Sequence, residues 1–303
     1  MAGFTRLVHA DWSIAAKGRW LARASLQDGR WRAEAPEPVP PLDRFVAELF
    51  GGREPPLAGF DFPIGLPERI GLAGAWATFP EALAALPPAF FAVAERPDEI
   101  GPDRPFYPAR PGGTSHAQLL AAHGVIRIAE LMRRCERAAP GRRAAGCMLW
   151  TLGAAQVGRA ALNGWAGVVR PARSRGAKLW PFHGSLEALG SSGLPVLAET
   201  YPADGYARLG APFGPGQSKR RRADRATKAP ALRAWARASD VDLAPALAAG
   251  LDDGFGEQDR GGDRFDAVIG LLAMIDDLRR GPTEPPADPA VRRWEGWIMG
   301  RDG

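Results

Sequence analysis

The stretch "RLVHADWSIAAKGRWLARASL", Arg6 to Leu26, sets how the rest of the chain is read. Its apolar run Leu7–Ala10 has the length of a short buried strand and ends on a carboxylate, Asp11. Small residues follow from Ser13 to Gly18, with Lys17 among them, and let the chain turn back. Trp20, Ala22, Ala24 and Leu26 then alternate along a second strand and share one face. Asp28-Gly29 is a tight-turn pair, so "RWRAEA" (Arg30–Ala35) is expected to return as a third, antiparallel strand.

Working outward, the Pro-rich "PEPVPP" ends the hairpin system, and "LDRFVAELF" spaces Leu42, Phe45, Val46 and Leu49 as a helix that stops at Gly51-Gly52. "PLAGFDFPIGLP" holds a fourth strand, Leu57–Phe62, with Asp61 near its end. From Pro67 to about Leu189 the pattern is mainly helical. "TSHAQLLAAHGVIRIAELMRRCERA" has helical spacing in two pieces around Gly124, behind a cap-like Thr114 or Ser115. "CMLWTLGAAQVGRAALNGWAGVV" is small and apolar enough for an inner helix. "LPVLAETYP" is the fifth strand, with Glu199 at its polar end. "ATKAPALRAWARAS" and an amphipathic "DRFDAVIGLLAMIDDLRRG" are the late helices, and the two tryptophans of "WEGWIMG" are expected to dock on the body. The whole reads as one α/β domain over residues 1–303, with a large helical insertion at about 67–189.

The 303 residues, 46% hydrophobic and 24% charged, describe an ordinary globular chain. No apolar run reaches the roughly 18 to 20 residues that span a bilayer, and no secretory leader is visible, so no membrane partner is expected. Two cysteines, Cys135 and Cys147, make no disulfide framework, which points to a reduced, cytoplasmic setting. His9, His116, His123 and His183 have no zinc-ligand spacing with them. The net charge of +5 is concentrated in "RPARSRGAKLW" and "SKRRRADRATK"; these are solvated faces or contacts to nucleic acid.

Three expected strands end on acids, Asp11, Asp61 and Glu199, and Asp263 and Asp266 stand at i and i+3 at the start of a helix. Each has a plainer reading: Asp11 and Asp61 as turn formers, Glu199 as an exposed strand exit, Asp263 as a helix cap. Gathered together, buried carboxylates repel and lose hydration, so the cluster needs a compensating proton or cation. Hard oxygen donors suit Mg²⁺ or Mn²⁺.

Taken jointly, "ADWS…KGRW", "GFDFPIGLP", "AETYPADGYARLG", "SKRRRADR", "DRFDAVIGLLAMID" and "EGWIMG" resemble the domain of unknown function 429 family, placed in the ribonuclease H-like superfamily, over about Leu7 to Gly300. The resemblance implies a mixed five-stranded sheet with flanking helices, and acids that meet at its centre. It implies Asp11, Asp61, Glu199 and Asp266 as catalytic carboxylates, Asp11, Asp61, Asp263 and Asp266 as Mg²⁺ or Mn²⁺ ligands, and Lys219 as a phosphate contact. Glu48, toward the end of its helix, is a poor match to the glutamate of ribonuclease H proper. The implied activity is a metal-dependent nuclease or related phosphodiester hydrolase. Lys17, Lys219, Arg220 and Arg221 would grip the strand, helped by Arg173, Arg175 and Trp180. Two alternatives stand beside it. "DWSIAAKG" loosely resembles the first phosphate loop of the actin and sugar-kinase branch, though a second Gly-rich loop is missing. The other is a non-catalytic module binding nucleic acid or protein.

Overall fold

The computed structural model describes residues 3–140, 142–153, 156–257 and 261–302, which form two compact units. The first holds residues 1–61, 184–284 and 298–302; the second holds 62–183 and 285–297. In chain order the strands are β1 (Arg6–Asp11), β2 (Trp20–Gln27), β3 (Arg30–Ala33), β4 (Glu37–Pro38), β5 (Leu57–Phe60), β6 (Lys178–Leu179), β7 (Val196–Glu199) and β8 (Val241–Leu243). All but β6 belong to the first unit.

The first unit is α/β with a mixed sheet in the order β7-β5-β1-β2-β3-β8, β4 pairing with β2. β1, β2 and β3 form the expected antiparallel meander, turning at Asp28 and Gly29, both at positive φ. β5 lies parallel to β1, and β7 parallel to β5. The two short strands beyond the expected five, β4 and β8, extend the antiparallel side: Glu37–Pro38 lie in the Pro-rich segment, and Val241–Leu243 run parallel to β3. Neither is long enough to leave an alternation in the sequence.

The long helix Gly261–Arg280 covers one face of β1 and β2. It is buried all round from Phe265 to Leu278, which corrects the expected amphipathic pattern. Its polar residues escape detection because they are partnered: Trp235 Nε1 donates to Asp276 Oδ1 at 3.1 Å, and Thr283 Oγ1 donates to Asp277 Oδ1 at 2.9 Å. His9 locks the helix to β1. Its Nδ1 lies 3.0 Å from the Ala267 carbonyl and its Nε2 2.9 Å from Thr200 Oγ1. Burial pulls the imidazole down to about 4, against the Ala267 bond, so the ring is neutral and donates to the carbonyl while accepting from the threonine. Gly270 makes this approach possible, because a Cβ there would stand 2.1 Å from the ring. On the opposite face, helix Leu42–Leu49 brings Phe45 edge-on to Phe60 at 6.2 Å, and Trp12 meets the same ring at 6.0 Å.

The second unit is mostly short helices, 3-10 turns and irregular chain. Helix His116–Ala122 starts at a capping box of Ser115 and Gln118, but the piece beyond Gly124 forms 3-10 turns at Ile128–Leu131 and Arg134–Glu136 rather than a helix. The expected inner helix starts only at Val157 and runs on through a wider π turn, Trp165–Val169; Ala154 and Ala155 lie outside the described residues. Its core gathers Phe79, Phe90, Phe106 and Trp165. The returning segment Pro285–Trp297 completes this unit, with Trp294 buried and its carbonyl accepting from Leu66 N at 2.8 Å. Both tail tryptophans, Trp294 and Trp297, are buried, as expected.

Candidate carboxylate centre of the first unit

Register explains which acids meet. His9 pairs with Gly59, and Gly59 with Ala198, so the odd residues of β1 face the long helix together with Asp61. Asp11, at the end of β1, and Asp61, just past β5, are close enough for each carboxyl to act on the other's proton, and Asp61 Oδ1 accepts from Trp12 N at 2.7 Å. Asp266 comes down from the first turns of the helix. Burial, then the charges of Asp61, Asp266 and Asp263, push the Asp11 carboxyl well above the usual range, against the pull of Lys219. Burial likewise pushes Asp61 up to about 7, although the Trp12 amide and Asp11 pull it back. Two carboxyls that share a proton titrate as a pair.

Both oxygens of Asp266 are engaged. Tyr206, from helix Pro202–Arg208, donates its hydroxyl to Oδ1, and Lys219 its ammonium to Oδ2. Burial and then the charge of Asp266 hold the Tyr206 phenol protonated, well above its usual value. Burial alone would lower the Lys219 ammonium, but Asp266, Asp11 and Asp61 outweigh it and hold the group above its ordinary value. Trp20 sits opposite Asp11 across the strands, and the Arg264 guanidinium lies 4.2 Å over its ring.

The remaining expected residues are placed as follows. Asp263 stands in the first turn of the long helix, close enough for its charge to act on Asp11. Glu199 is not brought into the group: it pairs with Phe60, so the register turns it to the face that carries helix Leu42–Leu49. It is buried rather than exposed, and its carbonyl accepts from Met299 N at 2.9 Å. Thr200, the next residue, takes the helix-facing position. Glu48 binds Arg23 and Arg44 on that same far face. Lys17 and Arg220 are exposed; Arg221 holds Asp224 at 2.6 Å and the Gly216 carbonyl. Arg173, in the second unit, binds the Ala177 carbonyl, and Trp180 is fully buried, which removes it as a stacking platform.

Sequence reasoning missed Tyr206 and Arg225. Arg225 sits in a run read as solvated, yet it is 1% exposed. It donates to the carbonyls of Gly254, Lys219 and Gly256 at 2.7, 2.6 and 2.7 Å. No local signal separates it from its neighbours Arg220 to Arg222. Tyr206 follows Pro202 by one helical turn, a spacing that could have paired it with the strand end at Glu199.

No three His, Cys, Asp or Glu side chains among the described residues stand together in a metal-holding arrangement. The donor chemistry of the Asp11–Asp61 pair nevertheless fits a hard divalent cation, which replaces a shared proton between two oxygen donors. No helix among the described residues is long and apolar enough to cross a membrane. No family model, curated protein or solved structure matches the chain.

Proposed function

We propose that the chain is a Mg²⁺- or Mn²⁺-dependent phosphodiester hydrolase acting on nucleic acid, with a ribonuclease H-like first unit. The observation that carries this reading is the convergence of Asp11, Asp61 and Asp266 from two strand ends and one helix, on one face, with carboxyls pushed up by burial and by one another. Such a group is costly to bury and is unneeded for packing. Asp11 and Asp61 would hold the cation, with Asp263 and Asp266 beside them. A bound divalent cation supplies Lewis acidity toward a phosphoryl oxygen and lowers the pKa of water.

The protein's own residues do the rest. The Trp12 amide fixes Asp61. Tyr206 fixes Asp266, and Lys219 presents a positive charge with its side chain 51% exposed. Trp20 with Arg264, Lys17 and Arg220 offer a stacking face and phosphate contacts. In hydrolysis a water oxygen bonds to phosphorus, the P–O bond to the leaving sugar oxygen breaks, and that oxygen takes up a proton.

The test is a panel of single- and double-stranded DNA and RNA with Mn²⁺. Asp11→Asn and Asp61→Asn, which remove charge and keep volume, are expected to lose about a hundredfold or more of the activity. Full activity in both variants overturns the reading, as does absence of Mn²⁺ binding by the wild-type chain.

A further inference from the structure

Lys219 is held more firmly than a surface lysine needs to be. Its ammonium sits on Asp266 Oδ2, and its backbone carbonyl accepts from Arg225 at 2.6 Å. That guanidinium is buried and reaches two further carbonyls, at Gly254 and Gly256, in the segment that leads toward the long helix. A buried arginine therefore pins the backbone of Lys219 and the approach to the acid helix at once. Tyr206 occupies the other oxygen of Asp266 and stacks on Phe265 with ring centroids 5.9 Å apart, which fixes the carboxylate's orientation.

The two sides of the centre are thus unlike. Asp11 and Asp61 act on each other as neighbouring carboxyls, whereas Asp266 already carries a cation of the protein's own. An ammonium has three donors, and only one is needed by Asp266. The half-exposed side chain leaves the others free to meet an anion. A second divalent cation on Asp266 would have to displace a charge-assisted hydrogen bond and stand against a like charge.

We propose that Lys219 is the second cation of this site. Resting on the hydrolase reading above, the centre takes one divalent cation, on Asp11 and Asp61, and Lys219 on Asp266 meets the substrate phosphoryl oxygen that a second metal ion would otherwise meet.

The test is Mn²⁺ binding to the full chain, by titration calorimetry and by electron paramagnetic resonance of the free ion, independent of any turnover. The wild type is expected to bind one Mn²⁺. Asp61→Asn loses it, and Asp266→Asn keeps it. Lys219→Met frees Asp266 Oδ2 and binds two, and the double variant Lys219→Met/Asp266→Asn returns to one. Lys219 is half exposed, so its replacement leaves the core intact, and melting curves check each variant. Two Mn²⁺ in the wild type, one in Lys219→Met, or loss of the ion in folded Asp266→Asn overturns the proposal while leaving the hydrolase reading in place. No Mn²⁺ in the wild type overturns both.

Discussion

Each unit buries a cluster of charges, and the two are built on opposite terms. In the second unit Arg133 and Glu136, 0% and 2% exposed, face each other with Nη2 to Oε1 at 2.8 Å, and Arg133 Nη1 also donates to the Glu295 carbonyl at 3.0 Å. The neighbouring Arg134 reaches Glu295 Oε1 and Asp288 Oδ2, both at 2.9 Å. Every acid there stands against an arginine, and the cluster ties the segment Pro285–Trp297 to the 3-10 turns around Arg134. In the first unit the acids outnumber the base that faces them. Lys219 faces Asp266 and its charge also reaches Asp11 and Asp61, and those last two are the carboxyls pushed up most. A matched buried network holds structure together, whereas an unmatched one raises the energy of the folded chain until something positive arrives.

The largest effect that can break this contrast lies in the second unit. Arg133→Met strands Glu136 without its main partner and is expected to cost about 3–5 kcal/mol in urea unfolding. A loss below about 1 kcal/mol would make the network dispensable and erase the distinction.

A smaller effect sharpens the other side. Asp61 has a folded value of about 7 against 3.8, so the folded chain binds the extra proton between them and loses stability as pH rises through that window. His9 works the other way: with a folded value of about 4 against 6.5, it adds stability as pH rises from about 4 to 6.5. The two oppose each other below about pH 6.5, and above it only the acid pair acts. Without metal, the urea midpoint of the wild type is therefore expected to fall from pH 6.5 upward, and to fall less steeply in Asp61→Asn, where burial still holds Asp11 up. An identical profile in both proteins would show that the acid pair carries no excess charge.

The smallest effect concerns the rim. Arg220 is exposed, so Arg220→Ala should change stability by less than about 0.5 kcal/mol. Its affinity for a fluorescent single-stranded oligonucleotide should fall, with the salt slope reduced by about one. An unchanged slope removes Arg220 from the grip.

Much of the first unit was legible because its strands are regular. The alternation of Trp20, Ala22 and Ala24, the Asp28-Gly29 turn and the strand end at Asp11 are local signals that appear where the pattern puts them, while β5 stops at Phe60, short of the expected Phe62, and leaves Asp61 just beyond it. Asp266 was legible for a different reason: a charge among Phe265, Ala267 and Val268 has no packing excuse. Glu199 shows the limit. Strand-end position says nothing about face, and one residue of register separates the acid group from the opposite side of the sheet. Arg225 was hidden for the reverse reason, since a basic run looks solvated until its tertiary partners, three backbone carbonyls, are known. In the second unit the helical spacing beyond Gly124 lost to 3-10 turns stitched by Arg133, Arg134, Glu136 and Glu295, contacts that no local window contains.

The join between His9 and Ala267 has a consequence for the growing chain. β1 and β5 leave the ribosome early, but the helix that covers them and the lysine that faces Asp266 follow about two hundred residues later. At bacterial and eukaryotic synthesis speeds that delay lasts roughly 10–40 s. Until then β1 and β5 lack the helix that covers them and brings Asp266 to Asp11. The carboxylate group therefore comes into being as one of the last events of synthesis. A prematurely terminated product carries the strands without the assembled carboxylate group.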